Sequence, residues 1–172
     1  MKKKFTDSSI IALVAAVIMI VSLFLPYAAA RPGFRQLIEM MPADMCIGNT
    51  DITMHSTLRV SMVEFLKIYG SSNEGAATEQ FCTILVVVMA VTALLVGVFS
   101  FLKKPVPMLF CNIAAFAAFY LHNGNYADRG VVPGAEYRFG IGYYLFAVAA
   151  IVAIAGGIFM LQDRKAKKKK EE

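Results

Sequence analysis

Met40, Met41, Met45, Cys46, Met54, His55 and Met62 crowd into one polar stretch of an otherwise apolar chain. Thioether, thiol and imidazole groups are soft donors, and together they suit Cu(I). Met45, Cys46, Met54 and His55 are the residues that would hold such an ion. Methionine is also a flexible filler of irregular apolar surface, and Met41 and Met62 already fall on apolar helical stripes. No regular Met or His spacing recurs. No metal or other cofactor is therefore expected, with Cu(I) on those four side chains as a minor alternative.

Thiol chemistry is the next possibility. Cys46 lies in the polar stretch, Cys82 at its far edge and Cys111 inside an apolar run. Exposed cysteine pairs in an oxidising compartment often close a disulfide, so Cys46–Cys82 is a candidate bridge. Membrane thiol oxidases need closely spaced cysteines, each lowering the other's pKa, and no C-x-x-C occurs here. Walker, H-E-x-x-H and G-x-S-x-G motifs are also missing. His55 and His122 are far apart in sequence and have no evident catalytic partner. No catalytic residue is expected, and the chain reads as non-enzymatic.

The elements that carry these residues are set by hydropathy. The 172 residues are 58% hydrophobic with a mean hydropathy of +0.62, too apolar for an ordinary soluble domain. Runs 8–30, 81–102, 105–124 and 139–162 contain no Asp, Glu, Lys or Arg. A helix rising about 1.5 Å per residue crosses a hydrocarbon core of roughly 30 Å in about 20 residues. The run at 81–102 is the strongest, favouring insertion by roughly 4 to 8 kcal/mol; the run at 105–124 is weaker, at roughly 2 to 4 kcal/mol. The expected fold is an all-α integral membrane protein, one domain over 1–172. It is an antiparallel four-helix transmembrane bundle with spans near 9–28, 81–102, 106–122 and 139–161.

Charge sets the orientation. Lys2, Lys3, Lys4, Lys103, Lys104, Arg164, Lys165, Lys167, Lys168, Lys169 and Lys170 hold most of the chain's 17 basic residues. They lie in the N-terminus, the second connector and the tail at 162–172. Basic residues collect on the cytoplasmic side, so the cell membrane is expected to hold both termini inside. The segment 29–80 and the loop 123–138 then lie outside. In the tail, Lys165, Lys167, Lys168, Lys169 and Lys170 attract anionic lipid at about 1 kcal/mol each, or more simply anchor the orientation.

The outer segment carries two apolar stripes. Phe34, Leu37, Ile38 and Met41 make one face of a short helix ended by Pro42. Leu58, Met62, Phe65, Leu66 and Tyr69 make a second, ended by Gly70. Ser61-x-x-Glu64 has the form of a capping box, although the stripe begins before it. Asn123-Gly124-Asn125 reads as a turn. The first run, with Lys2–Lys4 before it and Ala28-Ala29-Ala30 after it, has two readings: a retained helix, which its length favours, and a cleavable signal peptide.

Small residues four apart mark packing faces: Ala12 and Ala16, Ala93 and Gly97, Ala114 and Ala118, and Ala149, Ala153 and Gly157. In lipid, close backbone approach through such residues does much of the work of association. Asn112, the one strongly polar side chain at depth, reads as interhelical glue. The missing intramembrane charges argue against ion pumps and voltage sensors.

Four spans, inside termini and a long first outer loop resemble in layout the tetraspan proteins of the claudin kind. The chain has no Trp, so that loop's Trp-bearing signature is missing, and the loop reads as helical rather than stranded. The resemblance is one of layout and implies no activity. The expected role is that of an accessory or structural subunit whose outer segment mediates interaction. Its partners would be membrane lipid and another membrane protein or a second copy, with no nucleic acid. The alternative is a transporter or channel component for a neutral or apolar solute.

Overall fold

The computed structural model describes residues 7–47, 51–70 and 76–171. The chain is mostly helical, and among the described residues three helices are long and apolar enough to cross a membrane. They are α4 (Ala76–Phe101), α5 (Pro105–Asp128) and α6 (Ile141–Glu171). A shorter helix, α1 (Asp7–Ser22), packs against α4 and α6, while α5 packs against α4 and α6 in turn. The four thus form a ring in which each helix touches two neighbours.

The distribution of side chains within the ring is that of a protein in lipid. Ala12, Ala15, Ala16 and Met19 of α1 are buried, while Ile10, Val14, Val17 and Val21 are exposed. Small residues face inward and large aliphatics outward, because lipid solvates Ile and Val as well as a protein core does and close helix approach supplies the attraction. In water, this much contiguous apolar surface on a monomer would be an association liability.

At one end the helices carry a small layer with β-structure. Strand β1 (Pro26–Ala30) is the centre of an antiparallel sheet in the order β2-β1-β3, with β2 at Arg59–Ser61 and β3 at Tyr137–Phe139. Ala28 faces Val60 and Phe139, and Ala29 faces Arg59 and Arg138. Helix α2 (Pro32–Glu39) follows β1, a 3-10 helix (Met54–Leu58) precedes β2, and α3 (Met62–Gly70) follows it.

Several expectations need correction. The first helix does not run through 9–28: it ends at Ser22, tight turns follow at Leu23 and Phe24, and Pro26 opens β1. Proline lacks an N–H and disfavours helix at the residue before it. The segment expected to be helical rather than stranded contributes a sheet strand. The second stripe is split, since Leu58 ends the 3-10 helix and β2 separates it from α3. The capping box does form: Ser61 N–H donates to Glu64 Oε2 at 2.7 Å, and Glu64 N–H to Ser61 Oγ at 3.2 Å. Residues 123–125 make no turn, because α5 continues to Asp128. The chain reverses at Gly130, whose φ of +67° lies in the left-handed region glycine favours.

Candidate functional site

The sheet divides the end of the molecule into a buried face and an exposed one. On the buried face Tyr27, fully buried in β1, sits at the centre of an aromatic cluster. Its ring meets Phe65 at 6.1 Å, His122 at 5.5 Å, Tyr126 at 6.0 Å and Phe139 at 6.1 Å, all edge-on. Such pairs place the positive ring edge against a negative face and add about 0.5–1.5 kcal/mol beyond area burial. The Tyr27 hydroxyl donates to Asn123 Oδ1, tying β1 to α5. Next to it, the Cys82 thiol donates to Asn125 Oδ1 at 3.3 Å, and Arg129 lies over the Tyr126 ring at 5.3 Å. These contacts keep α5 helical through 123–125, where the residue types alone suggest a turn.

His122 is fully buried, 4.3 Å from the Tyr126 ring, and neither of its ring nitrogens has a hydrogen-bond partner. No group of three His, Cys, Asp or Glu among the described residues is arranged to hold a metal ion. The cluster's chemistry is that of a plug closing the helix ends.

On the exposed face lies a groove of about 830 Å³, floored by β1 and walled by the 3-10 helix and the start of α6. Arg35, Arg59 and Arg138 line it together with His55, Ile141 and Tyr144. Gly140 lets the β3–α6 junction close against β1: its N–H donates to the Tyr27 carbonyl at 2.6 Å, and a Cβ there would run into the Pro26 carbonyl.

The soft side chains are partly assembled. An isolated antiparallel bridge pairs Cys46 with Thr53, and a 2.7 Å bond from Met54 N–H to the Met45 carbonyl places Met54 opposite Met45. Cys46 Sγ, however, donates to the Asp44 carbonyl at 3.4 Å, and His55 Nε2 lies 3.1 Å from the Met41 carbonyl. No disulfide joins Cys46 to Cys82, the bridge expected from the sequence: Cys46 is exposed beside Thr53, and Cys82 is buried at the helix end, its thiol on Asn125.

Among the packing residues, Ala93, Asn112, Ala118, Ala149, Ala153 and Gly157 are buried. A Cβ at Gly97 would lie 3.6 Å from the Ala16 methyl, and one at Gly157 would collide with Met108 and Leu109. Asn112 donates from Nδ2 to the Ala150 carbonyl at 2.8 Å. Ala114 is exposed, so the Ala114–Ala118 pair is not the inward face of α5. That face is Met108, Asn112, Ala115, Phe119, His122 and Tyr126, a heptad-like stripe that the four-residue spacing of alanines does not follow. Of the tail lysines, Lys165 and Lys167 are exposed; Lys168, Lys169 and Lys170 continue α6, their side chains outside the described residues.

The arginine groove and the aromatic plug were not found from motifs, yet one compositional signal existed. In 29–80 and 123–138 every basic residue but Lys67 is arginine, whereas elsewhere all but Arg164 are lysine. Arginine's planar fork suits bidentate recognition of anions, while lysine acts as a point charge. No family model matches this chain, and neither the curated proteins nor the solved structures give a significant match.

Proposed function

We propose that the chain is a four-span, non-enzymatic protein of the cell membrane, an accessory or structural subunit. In this reading it engages a second membrane protein, or a second copy of itself, through the layer on its outer end. The observation that carries it is that layer: three strands from distant parts of the chain, fixed to plugged helix ends, with apolar side chains turned outward. Leu37 of α2 is 51% exposed and Met40 at its C-cap 79%, and Met45, opposite Met54, is 47% exposed. Apolar residues left uncovered on a rigid layer fit a protein contact.

The orientation has geometric support. Lys103, Lys104, Arg164 and Lys167 line one shallow cleft at the end opposite the sheet, as the positive-inside rule requires of a cytoplasmic face. Helix α1 also has the reach of a span. Its 16 residues rise roughly 24 Å, and the tight turns to Leu25 add roughly 6 Å, close to a hydrocarbon core of about 30 Å. Binding fits better than transport, since Met19, Met89, Met108, Phe119 and Phe146 fill the space between helices. The groove of about 830 Å³ is lined by the sheet, the 3-10 helix and the start of α6, not by the space between the helices.

Chemical crosslinking of the full chain in mild detergent and in nanodiscs tests the reading. A discrete crosslinked species is expected, and Leu37→Lys with Met40→Lys should abolish it without changing the thermal midpoint. Monomer alone in both environments sinks the proposal.

A further inference from the structure

Arg59 of β2 and Arg138 of β3 both pair with Ala29 of β1. Directly opposed residues on antiparallel strands share a face, and burial agrees: both arginines are exposed, while Val60 and Ala28 on the reverse are buried. Two strand spacings, about 10 Å in all, separate the arginine Cα atoms, and the residue between them is alanine. Neither arginine has an ion-pair partner among the described residues, and no carboxylate lines the groove. Arg35 at the rim is already engaged by Glu39 at 2.8 Å. Two guanidinium groups in one row repel each other unless an anion lies between them, and their forked donors match phosphate oxygens. The start of α6, at Gly140 and Ile141, adds its positive dipole end to the same groove.

What lies below the row decides the class of anion. Ile141 and Tyr144 line the groove, and Val148 and Val152 continue that side of α6 at helical spacing. With Val14 and Ile18 of α1 these valines wall an apolar furrow of about 290 Å³ that opens outward between α1 and α6. A cationic row therefore stands at the head of a lipid-facing trough. The geometry points to a phospholipid site, with the headgroup phosphate held over Ala29 by Arg59 and Arg138 and one acyl chain lying in the α1–α6 furrow. This site does not depend on the protein-partner reading, since it uses a different face from Leu37 and Met40.

The test is lipid retention by the purified, delipidated full chain, read by native mass spectrometry against added phosphatidylglycerol or phosphatidylcholine. The native chain should retain phosphatidylglycerol preferentially. The double variant Arg59→Gln, Arg138→Gln should hold it roughly ten-fold less well, a loss typical of charge-assisted contacts. Val148→Trp, which fills the furrow and leaves the arginines in place, should also weaken retention. Lys165→Gln with Lys167→Gln, at the opposite end, should not. Equal retention by the native chain and both site variants overturns the proposal. So does a thermal shift with inorganic phosphate as large as with lipid and unaffected by Val148→Trp, which would mark a free-anion site.

Discussion

Gly156 shows how little room the helix contacts leave. A Cβ there would meet the Ala12 Cβ at 3.1 Å and its backbone nitrogen at 3.2 Å, and backbone cannot swing aside as a side-chain tip can. Gly156→Leu should lower the thermal midpoint in detergent by the equivalent of about 1–3 kcal/mol, the usual range for overpacking. Gly124 has the opposite environment, near the C-terminal end of α5 with nothing within 4 Å of the place a methyl group would take. Gly124→Ala should raise the midpoint by up to about 1 kcal/mol, the difference in helix propensity. The same substitution type thus gives opposite signs, and a loss at both positions would contradict the packing described. Asn112 sits between these extremes, its single interhelical bond worth about 0.6 kcal/mol on average.

Strand β1 is the element on which the sheet end depends. Ala28 pairs with Val60 on one side and Phe139 on the other, so proline there must break ladder hydrogen bonds. It would also displace Tyr27 from the aromatic plug that covers the end of α5. Thiol labelling reads this directly. In the native chain a maleimide should modify exposed Cys46 quickly and leave buried Cys82 protected, with no change on adding reductant. In Ala28→Pro, Cys82 should become reactive. A mobility shift on reduction, with both thiols resistant beforehand, would restore the disulfide and refute this arrangement.

The whole molecule has two unlike ends. Ser8 Oγ donates to Asp163 Oδ2 at 2.6 Å, pinning the start of α1 to α6 at the lysine-bearing end, while the sheet lies at the other. If that polarity is the membrane orientation, Cys46 should label from outside intact cells. A cysteine introduced by Lys167→Cys should label only after permeabilisation. The mature chain should also retain α1, because a protein beginning at Arg31 would lose the sheet's central strand and the Ala12 and Ala16 contacts.

Hydropathy and charge, read along the chain, determined the membrane class, the three long apolar helices and several inward-facing small residues such as Ala93 and Ala153. These follow from local composition, because lipid imposes the same demand on every spanning residue. The capping box at Ser61 and Glu64 was equally local. The sheet was not, since β1, β2 and β3 are short and their hydrogen-bond partners lie far along the chain. Pro26-Tyr-Ala-Ala-Ala has no strand periodicity of its own. The rotation of α5 was hidden too, because alanine is compatible with either face and only the neighbours select Ala115 over Ala114. Tertiary structure alone placed Arg59 and Arg138 on either side of Ala29. Register is a long-range property, and it turned two separate basic residues into one cationic row.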